Sequence, residues 1–256
     1  MEDKSILNLE EGKYISYKYI KNNSTKDYLF FYIHGYSDNM NEAKSMKIEE
    51  IAKKNNIDLV KLDLFGHGGS SGKKVEMIMD DWYNCCKIII QKIVFPINKK
   101  IVFIGSSLGG WLSYILGEEF ADKAKAIVGI AGATDFFTEI IEPLIKEKDK
   151  DKELVYEMVY DSGKPSGDFI SRKLIDNSKK YNMLNRKIIN IKCPIRLIHG
   201  LIDQVVPYNT SLKFAQIVES QDVKLYLEKT MNHDLTKPNN LNTLEKVIGE
   251  LVDYLK

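Results

Sequence analysis

Apolar positions along the chain fall into short runs separated by stretches of helical periodicity. Lys13–Ile20 alternates apolar and polar residues and predicts an antiparallel outer strand with one wet face. Tyr28–Ile33, YLFFYI, is apolar or aromatic throughout, as a strand buried on both faces requires. Asn41–Lys54 carries helical spacing, Ile57–Leu62 reads as a strand and Lys74–Val94 as a long helix. A strand at Ile101–Ile104, a helix at Trp111–Phe120 and a buried strand at Ala126–Ile130 follow. Ile195–Ile198 and Val223–Leu227 are the later strands, and Leu241–Leu255 is a closing amphipathic helix. This alternation predicts one α/β domain over residues 1–256, with a mostly parallel sheet covered by helices on both faces.

One region breaks the rhythm. The interval between Ile130 and Ile195 is far longer than a crossover needs. It holds an apolar set (Phe136, Phe137, Ile140, Ile141, Leu144, Ile145), a charged run Lys146–Glu153 and a turn-rich stretch Asp161–Gly167. Residues 134–190 are therefore expected to form a helical cap inserted over the carboxyl ends of the strands. The competing reading is a plain surface excursion, but the apolar set needs something to cover.

The candidate chemistry begins at Ile101–Trp111, IVFIGSSLGGW. A strand, then Gly105-Ser106-Ser107-Leu108-Gly109, then a helix is the context in which G-x-S-x-G marks a nucleophile turn. The serine at its centre takes a strained backbone, and the residues two before and two after it pass too close for a side chain. Gly105 and Gly109 stand at those places, so Ser107 is the candidate nucleophile. Ser106 has Ile104 two residues upstream instead of glycine and is expected only to pack beside the turn.

A serine hydroxyl needs a base, and the base needs an orienting acid. Of the 4 histidines, only His233 follows both Ser107 and the best acid, which is the chain order of this arrangement. It sits in TMNHDL, between the last strand and the last helix. Asp203, beyond the strand end in IRLIHGLIDQVVP, is the candidate acid, because catalytic groups in open α/β sheets gather at those ends. The alternative for Asp203 is a cap on the helix that begins near Pro207, and Asp135 is a rival acid. The N–H groups of Leu108 and Tyr36 are the candidate oxyanion donors, Gly35 allowing close backbone approach. His34 and His199 are expected to shape loops, and His67 to sit in a tight loop near the site. Gly66–Gly72 lacks the spacing of a phosphate-binding loop. Trp111, Phe136, Phe137, Ile140 and Ile141 are candidates for an apolar acyl pocket, weighed against ordinary core packing.

Composition narrows the classes further. With 37 basic against 36 acidic residues, the net charge of +1 argues against bulk electrostatic binding of nucleic acid. No apolar run reaches the ~20 residues of a membrane span. The charged start, MEDKSILNLEEGKY, has neither a secretion-signal centre nor a transit-peptide composition. Cys85, Cys86 and Cys193 show no metal-ligand spacing, so a reducing, cytoplasmic setting without metal is expected.

The GSSLGGW turn, the HGY loop and the segment CPIRLIHGLIDQVVPYNTSLKFAQIV together resemble the α/β-hydrolase superfamily. More narrowly, they are similar to the α/β-hydrolase-domain-containing protein 10 type and its bacterial relatives, over most of the chain from the HGY loop to the last helix. The resemblance implies a serine hydrolase of ester and thioester bonds. Such relatives include acyl-protein thioesterases that remove palmitate from cysteine and an esterase of drug acyl-glucuronides. By motif it assigns Ser107 as nucleophile, Asp203 as acid, His233 as base, and Leu108 and Tyr36 as oxyanion donors. The relatives' mitochondrial location is not expected to carry over, because no organelle presequence is read here, and substrate choice depends on the cap. The function expected is cleavage of an acyl ester or thioester, the substrate being small or an S-acylated protein, without metal or organic cofactor. The rivals are a non-catalytic ligand-binding protein on a hydrolase scaffold, a peptidase and a monoacylglycerol-type lipase.

Overall fold

In the computed structural model, which describes residues 4–149, 151–159 and 165–256, the strands are β1 Ser5–Asn8, β2 Tyr14–Ile20, β3 Tyr28–Ile33, β4 Leu59–Leu62, β5 Lys100–Ser106, β6 Ala124–Ile130, β7 Leu154–Val159, β8 Pro165–Ser171, β9 Ile195–Gly200 and β10 Val223–Glu228. The helices are α1 Ala43–Lys54, α2 Met79–Ile89, α3 Leu108–Glu119, α4 Arg172–Ser178, α5 Asn209–Ile217 and α6 Pro238–Tyr254. Eight strands join in one sheet in the order β1-β2-β4-β3-β5-β6-β9-β10. β2 pairs antiparallel with β1 and β4, and every pair from β4 to β10 is parallel.

The continuous apolar run of β3 follows from its place near the middle of this sheet, where all six of its residues are buried. Alternate side chains serve two different cores. Tyr28, Phe30 and Tyr32 pack with Ile48, Ile51 and Ala52 of α1 and with Leu244, Val247, Ile248 and Leu251 of α6. Leu29, Phe31 and Ile33 pack on the other face with Trp82 of α2 and with Trp111 and Leu112 of α3. Each such large side chain contributes ~1.5–3 kcal/mol by leaving water. Covered on both sides, the sheet presents the carboxyl ends of its parallel strands as the place for irregular loops.

Two local features depart from the sequence reading. β1, outside the expected strands, is four residues long and pairs Ser5–Asn8 with Tyr14–Tyr17 at the sheet edge. The long helix expected from Lys74 begins at Met79, because the Asp81 carboxylate accepts the Ile78 N–H at 3.0 Å and fixes the start there. It then runs on through a wider π turn at Ile90–Val94.

The largest correction concerns residues 134–190. The insertion is not wholly helical. It opens with wound turns at Phe137–Ile141 and Glu142–Leu144, crosses into the antiparallel ribbon β7–β8, and ends in α4 and a 3-10 turn at Lys179–Tyr181. Val155 and Met158 face the core while Leu154 and Val159 are exposed. This broken alternation lies beside a charged run and gives neither a helical nor a clean strand signature. The part of the expected Asp161–Gly167 turn at 161–164 lies outside the described residues. The two ends of the insertion are joined by Asp135, whose carboxylate accepts the N–H groups of Met183 at 2.7 Å and Leu184 at 2.8 Å. Burial raises the pKa of Asp135, against those two hydrogen bonds. Both its oxygens are thus engaged with backbone, and the rival acid is a structural pin.

Two buried histidines tie the loops beyond β3 and β4. His34 accepts the Leu64 N–H on Nε2 at 3.0 Å, so Nδ1 holds the proton and donates to the Gly35 carbonyl at 2.7 Å. His67 turns one ring nitrogen to the Tyr36 carbonyl and the other to the Phe65 carbonyl. The two rings lie 5.1 Å apart. Burial, reinforced by the neighbouring His67, lowers the pKa of His34 to about 4, against the pull of Gly35, Asp63 and Asp38. Burial also lowers that of His67. The unfolded chain takes up these protons near the ordinary histidine value and the native fold resists them. Their contribution to stability is therefore complete above about pH 6.5 and is lost as pH falls toward the native values. We predict that the thermal midpoint drops between about pH 6.5 and 5, and that His34→Asn flattens that drop. A midpoint that stays level or rises over this interval in both proteins would contradict the burial of a neutral imidazole at His34.

Candidate active site

β5 ends at Ser106 and α3 begins at Leu108, so Ser107 is the single residue of the turn between them. Its backbone lies at φ 53° and ψ −117°, a left-handed conformation that side-chain-bearing residues rarely adopt. The flanking glycines permit it. A Cβ on Gly105 would stand 2.0 Å from the Gly109 carbonyl oxygen, and one on Gly109 would stand 2.1 Å from that of Ile33. The Ser107 N–H donates to the Ile130 carbonyl at 2.8 Å, while its carbonyl accepts from Ala133 at 3.0 Å and Gly110 at 2.9 Å. The turn is therefore pinned from β6 on one side and α3 on the other.

His233 lies in the loop between β10 and α6, and Asp203 in the loop after β9. His233 Nε2 lies 3.0 Å from Ser107 Oγ, and its Nδ1 lies 2.8 Å from Asp203 Oδ2. Residues far apart in the chain thus form one hydroxyl–imidazole–carboxylate line. Asp203 is itself fixed: Oδ1 accepts the N–H groups of Val205 at 2.9 Å and Val206 at 2.8 Å. The helix-cap alternative is partly realised in those two bonds, which order the loop ahead of α5. The same carboxylate does both tasks, because each oxygen faces a different set of partners. His199 Nε2 comes within 3.3 Å of Oδ2 and is anchored by the Val206 carbonyl at 2.9 Å, its Nδ1 meeting Ser211 Oγ at 2.7 Å. Burial alone would raise the Asp203 pKa, but hydrogen bonds from His199, His233 and Val206 bring it well below the usual carboxylate range. Asp203 therefore stays ionised across the neutral range. In such a line the imidazole can take the serine proton while the carboxylate holds the ring's tautomer and balances the charge that forms.

Tyr36 and Leu108 both line the cavity over Ser107. Leu108 is the first residue of α3, where N–H groups have no partner within the helix. Tyr36 is placed by the His34 and His67 contacts, and its ring packs edge-on against Trp82 at 5.6 Å and Phe137 at 6.3 Å. Its hydroxyl donates to the Phe169 carbonyl of β8 at 3.0 Å. Asp168 beside it accepts from Ser37 Oγ at 2.5 Å and pairs with Lys74. The ribbon of the insertion is thus bonded directly to the loop that carries Tyr36.

The cavity holds about 210 Å³. Trp111, Phe136 and Phe137 line it. Ile140 and Ile141 do not: the wound turn carries Ile141 into the core and leaves Ile140 packed against it. Ala133, Met158 and Val205 complete the apolar wall, and Ser37, Asp38, Lys44 and Asp234 form a polar one. None of these seven is marked as lining by the sequence pattern. Met158 had no visible signal, being one strand residue in a segment that reads as charged surface. Among the described residues, no cluster of histidine, cysteine or carboxylate side chains is arranged to hold a metal, and no helix is long and apolar enough to cross a membrane.

Comparison with known proteins agrees with this architecture. The model of the prolyl oligopeptidase family matches residues 63–248. Bovine palmitoyl-protein thioesterase ABHD10, mitochondrial, is 30% identical over 253 residues, which is 98% of this chain and 80% of that protein. The solved structure of alpha/beta hydrolase domain-containing protein 10 from mouse superposes with a TM-score of 0.86 at 28% identity, covering 99% of this chain and 100% of that one. A putative hydrolase from Agrobacterium vitis shares the fold, with a TM-score of 0.88 at 21% identity over 98% of each chain. The chain belongs to the ABHD10-type family of α/β-hydrolases.

Proposed function

We propose that this protein hydrolyses carboxylic ester and thioester bonds of acyl substrates through an acyl-enzyme on Ser107. The observation that carries the reading is the line from Ser107 Oγ through His233 to Asp203, at 3.0 and 2.8 Å. As the Ser107 oxygen bonds to the substrate carbonyl carbon, His233 Nε2 takes the hydroxyl proton. The carbonyl oxygen becomes an oxyanion, held by the N–H groups of Leu108 and Tyr36 and favoured by the N-terminal end of α3. Collapse breaks the bond to the alcohol or thiol, which leaves with the proton from His233. Water, deprotonated by His233, then attacks the acyl-serine; collapse returns that proton to Ser107 and frees the carboxylic acid. The relative named a palmitoyl-protein thioesterase, aligned over 98% of this chain, supports acyl substrates. An S-acylated protein is accordingly one substrate this reading admits.

Residues 134–190 act in this reading as a cap that sets the acyl site. What supports it is the contribution of Phe136, Phe137 and Met158 to the apolar wall, together with the bonds from β8 to Tyr36 and Ser37. The proposed compartment is the cytosol, on the three free thiols at Cys85, Cys86 and Cys193.

A panel of octanoyl and palmitoyl esters and thioesters tests the reaction. We expect wild-type turnover on both bond types, and on the order of 10³-fold or greater loss in kcat for Ser107→Ala and for His233→Ala. Full activity in Ser107→Ala would overturn the proposal. Chain-length profiles test the acyl wall: Phe137→Ala and Met158→Ala are expected to shift the preferred length by several carbons, while Ile140→Ala keeps the wild-type profile. A profile that moves with Ile140 but not with Phe137 would reject this assignment of the wall.

A further inference from the structure

The cavity is two-sided, and the polar side has no task in acyl binding. Its central feature is Lys44 of α1, a lysine whose side chain is only 7% exposed. Lys44 Nζ lies 3.2 Å from Asp38 Oδ2 and donates to the backbone carbonyl of Asp234 at 2.9 Å. The first partner belongs to the loop that carries Tyr36, the second to the residue after His233. The ammonium thus bridges the two loops that flank Ser107, and it orients the Asp38 carboxylate.

Asp38 remains 28% exposed in this setting and lines the cavity. It also stands close to the reacting serine. A Cβ placed on Gly35 would meet Asp38 Oδ2 at 3.2 Å and Ser107 Cβ at 3.3 Å, so the two side chains flank the same small space. A half-buried ion pair is a weak source of net stability, which makes its position at a reactive centre the more informative fact. Which part of a substrate meets it follows from the proposed reaction. His233 must reach the departing oxygen or sulfur to protonate it, so the leaving group lies toward the His233 loop. That is the side spanned by Asp38, Lys44 and Asp234; the acyl chain takes the wall of Trp111, Phe137 and Met158.

We propose that Asp38, oriented by Lys44, is a specificity-determining residue that accepts a hydrogen bond from the leaving group. The substrate class is then an acyl ester or thioester whose alcohol or thiol part carries a neutral O–H or N–H donor close to the scissile bond. A neutral donor fits better than a cation, because Lys44 already balances the Asp38 charge. That balance has a second use: it keeps a bare carboxylate from opposing the oxyanion that forms nearby. A hydroxyl donor would come from a polyol ester, and an amide donor from a cysteine-like thioester. This inference rests on the hydrolase reading above and deepens it.

Two pairs of octanoyl substrates, matched in acyl chain and bond type, test it. The ester pair is 1-octanoylglycerol and propyl octanoate; the thioester pair is S-octanoyl-N-acetylcysteamine and S-butyl octanethioate. Within at least one pair, wild type is expected to favour the donor-bearing member in kcat/KM by about tenfold or more. The pair that shows the preference identifies the source of the donor. Asp38→Leu is expected to bring that ratio to near one, and Asp38→Asn, which keeps an acceptor, to restore part of it. A wild-type ratio near one in both pairs overturns the inference without reference to any variant. So does a preference that Asp38→Leu leaves intact. In either case, turnover of the donor-free substrates leaves the hydrolase reading standing. If wild type cleaves none of the four, the hydrolase reading fails and the inference fails with it.

Discussion

The strand-to-helix turn at Ser107 is the constraint on which the rest of the site depends. Holding a serine at φ 53° and ψ −117° costs on the order of 1–3 kcal/mol. That conformation persists because Gly105, Gly109, β6 and α3 leave the chain no alternative. Backbone passes backbone so closely here that a methyl group at either glycine would overlap a carbonyl oxygen. In return the hydroxyl projects from the end of β5, the strand between β3 and β6 in the sheet. The same turn starts α3, so the unpaired N–H groups of a helix end lie beside that hydroxyl.

The other parts of the site are loops brought to this point by parallel strands. Parallel order puts the carboxyl ends of β3, β5, β6 and β9 along one edge, and the residues that follow each of them reach the cavity. β3 leads to Gly35–Asp38, β5 to Ser107, β6 to Ala133, Phe136 and Phe137, and β9 to Val205. Each loop is stabilised by buried polar contacts of its own. His34 and His67 hold the first, Asp135 clamps the insertion, and Asp203 orders its own loop while meeting His233. A buried carboxylate or imidazole supports the loops after β3, β6 and β9. This is how a rigid sheet supports an irregular site.

How much of this could be read from the sequence differs by residue, for physical reasons. Ser107 was legible because the steric demand of its turn is written in two glycines at fixed offsets. The main sheet was legible because burial on both faces forces uninterrupted apolar runs such as Tyr28–Ile33. Asp203 and His233 were legible from order along the chain, although nothing local marks them as partners. The ribbon β7–β8 was not, since it pairs out of register between charged neighbours and buries only isolated residues such as Val155 and Met158. Lys44 was equally hidden. On a helix rich in lysine and glutamate it reads as one more solvated charge, and only the fold turns it inward to Asp38. Ile140 and Ile141 show the opposite error: apolar spacing proclaims burial but not what the side chain is buried against.

The central claim is that convergence makes one hydroxyl out of many reactive. Labelling with a fluorophosphonate probe, followed by mass-spectrometric mapping of the adduct, measures that directly. The account predicts a single phosphonylated site at Ser107, with labelling abolished in Ser107→Ala and strongly slowed in His233→Ala. An adduct on another residue, or equal labelling of wild type and His233→Ala, would contradict it.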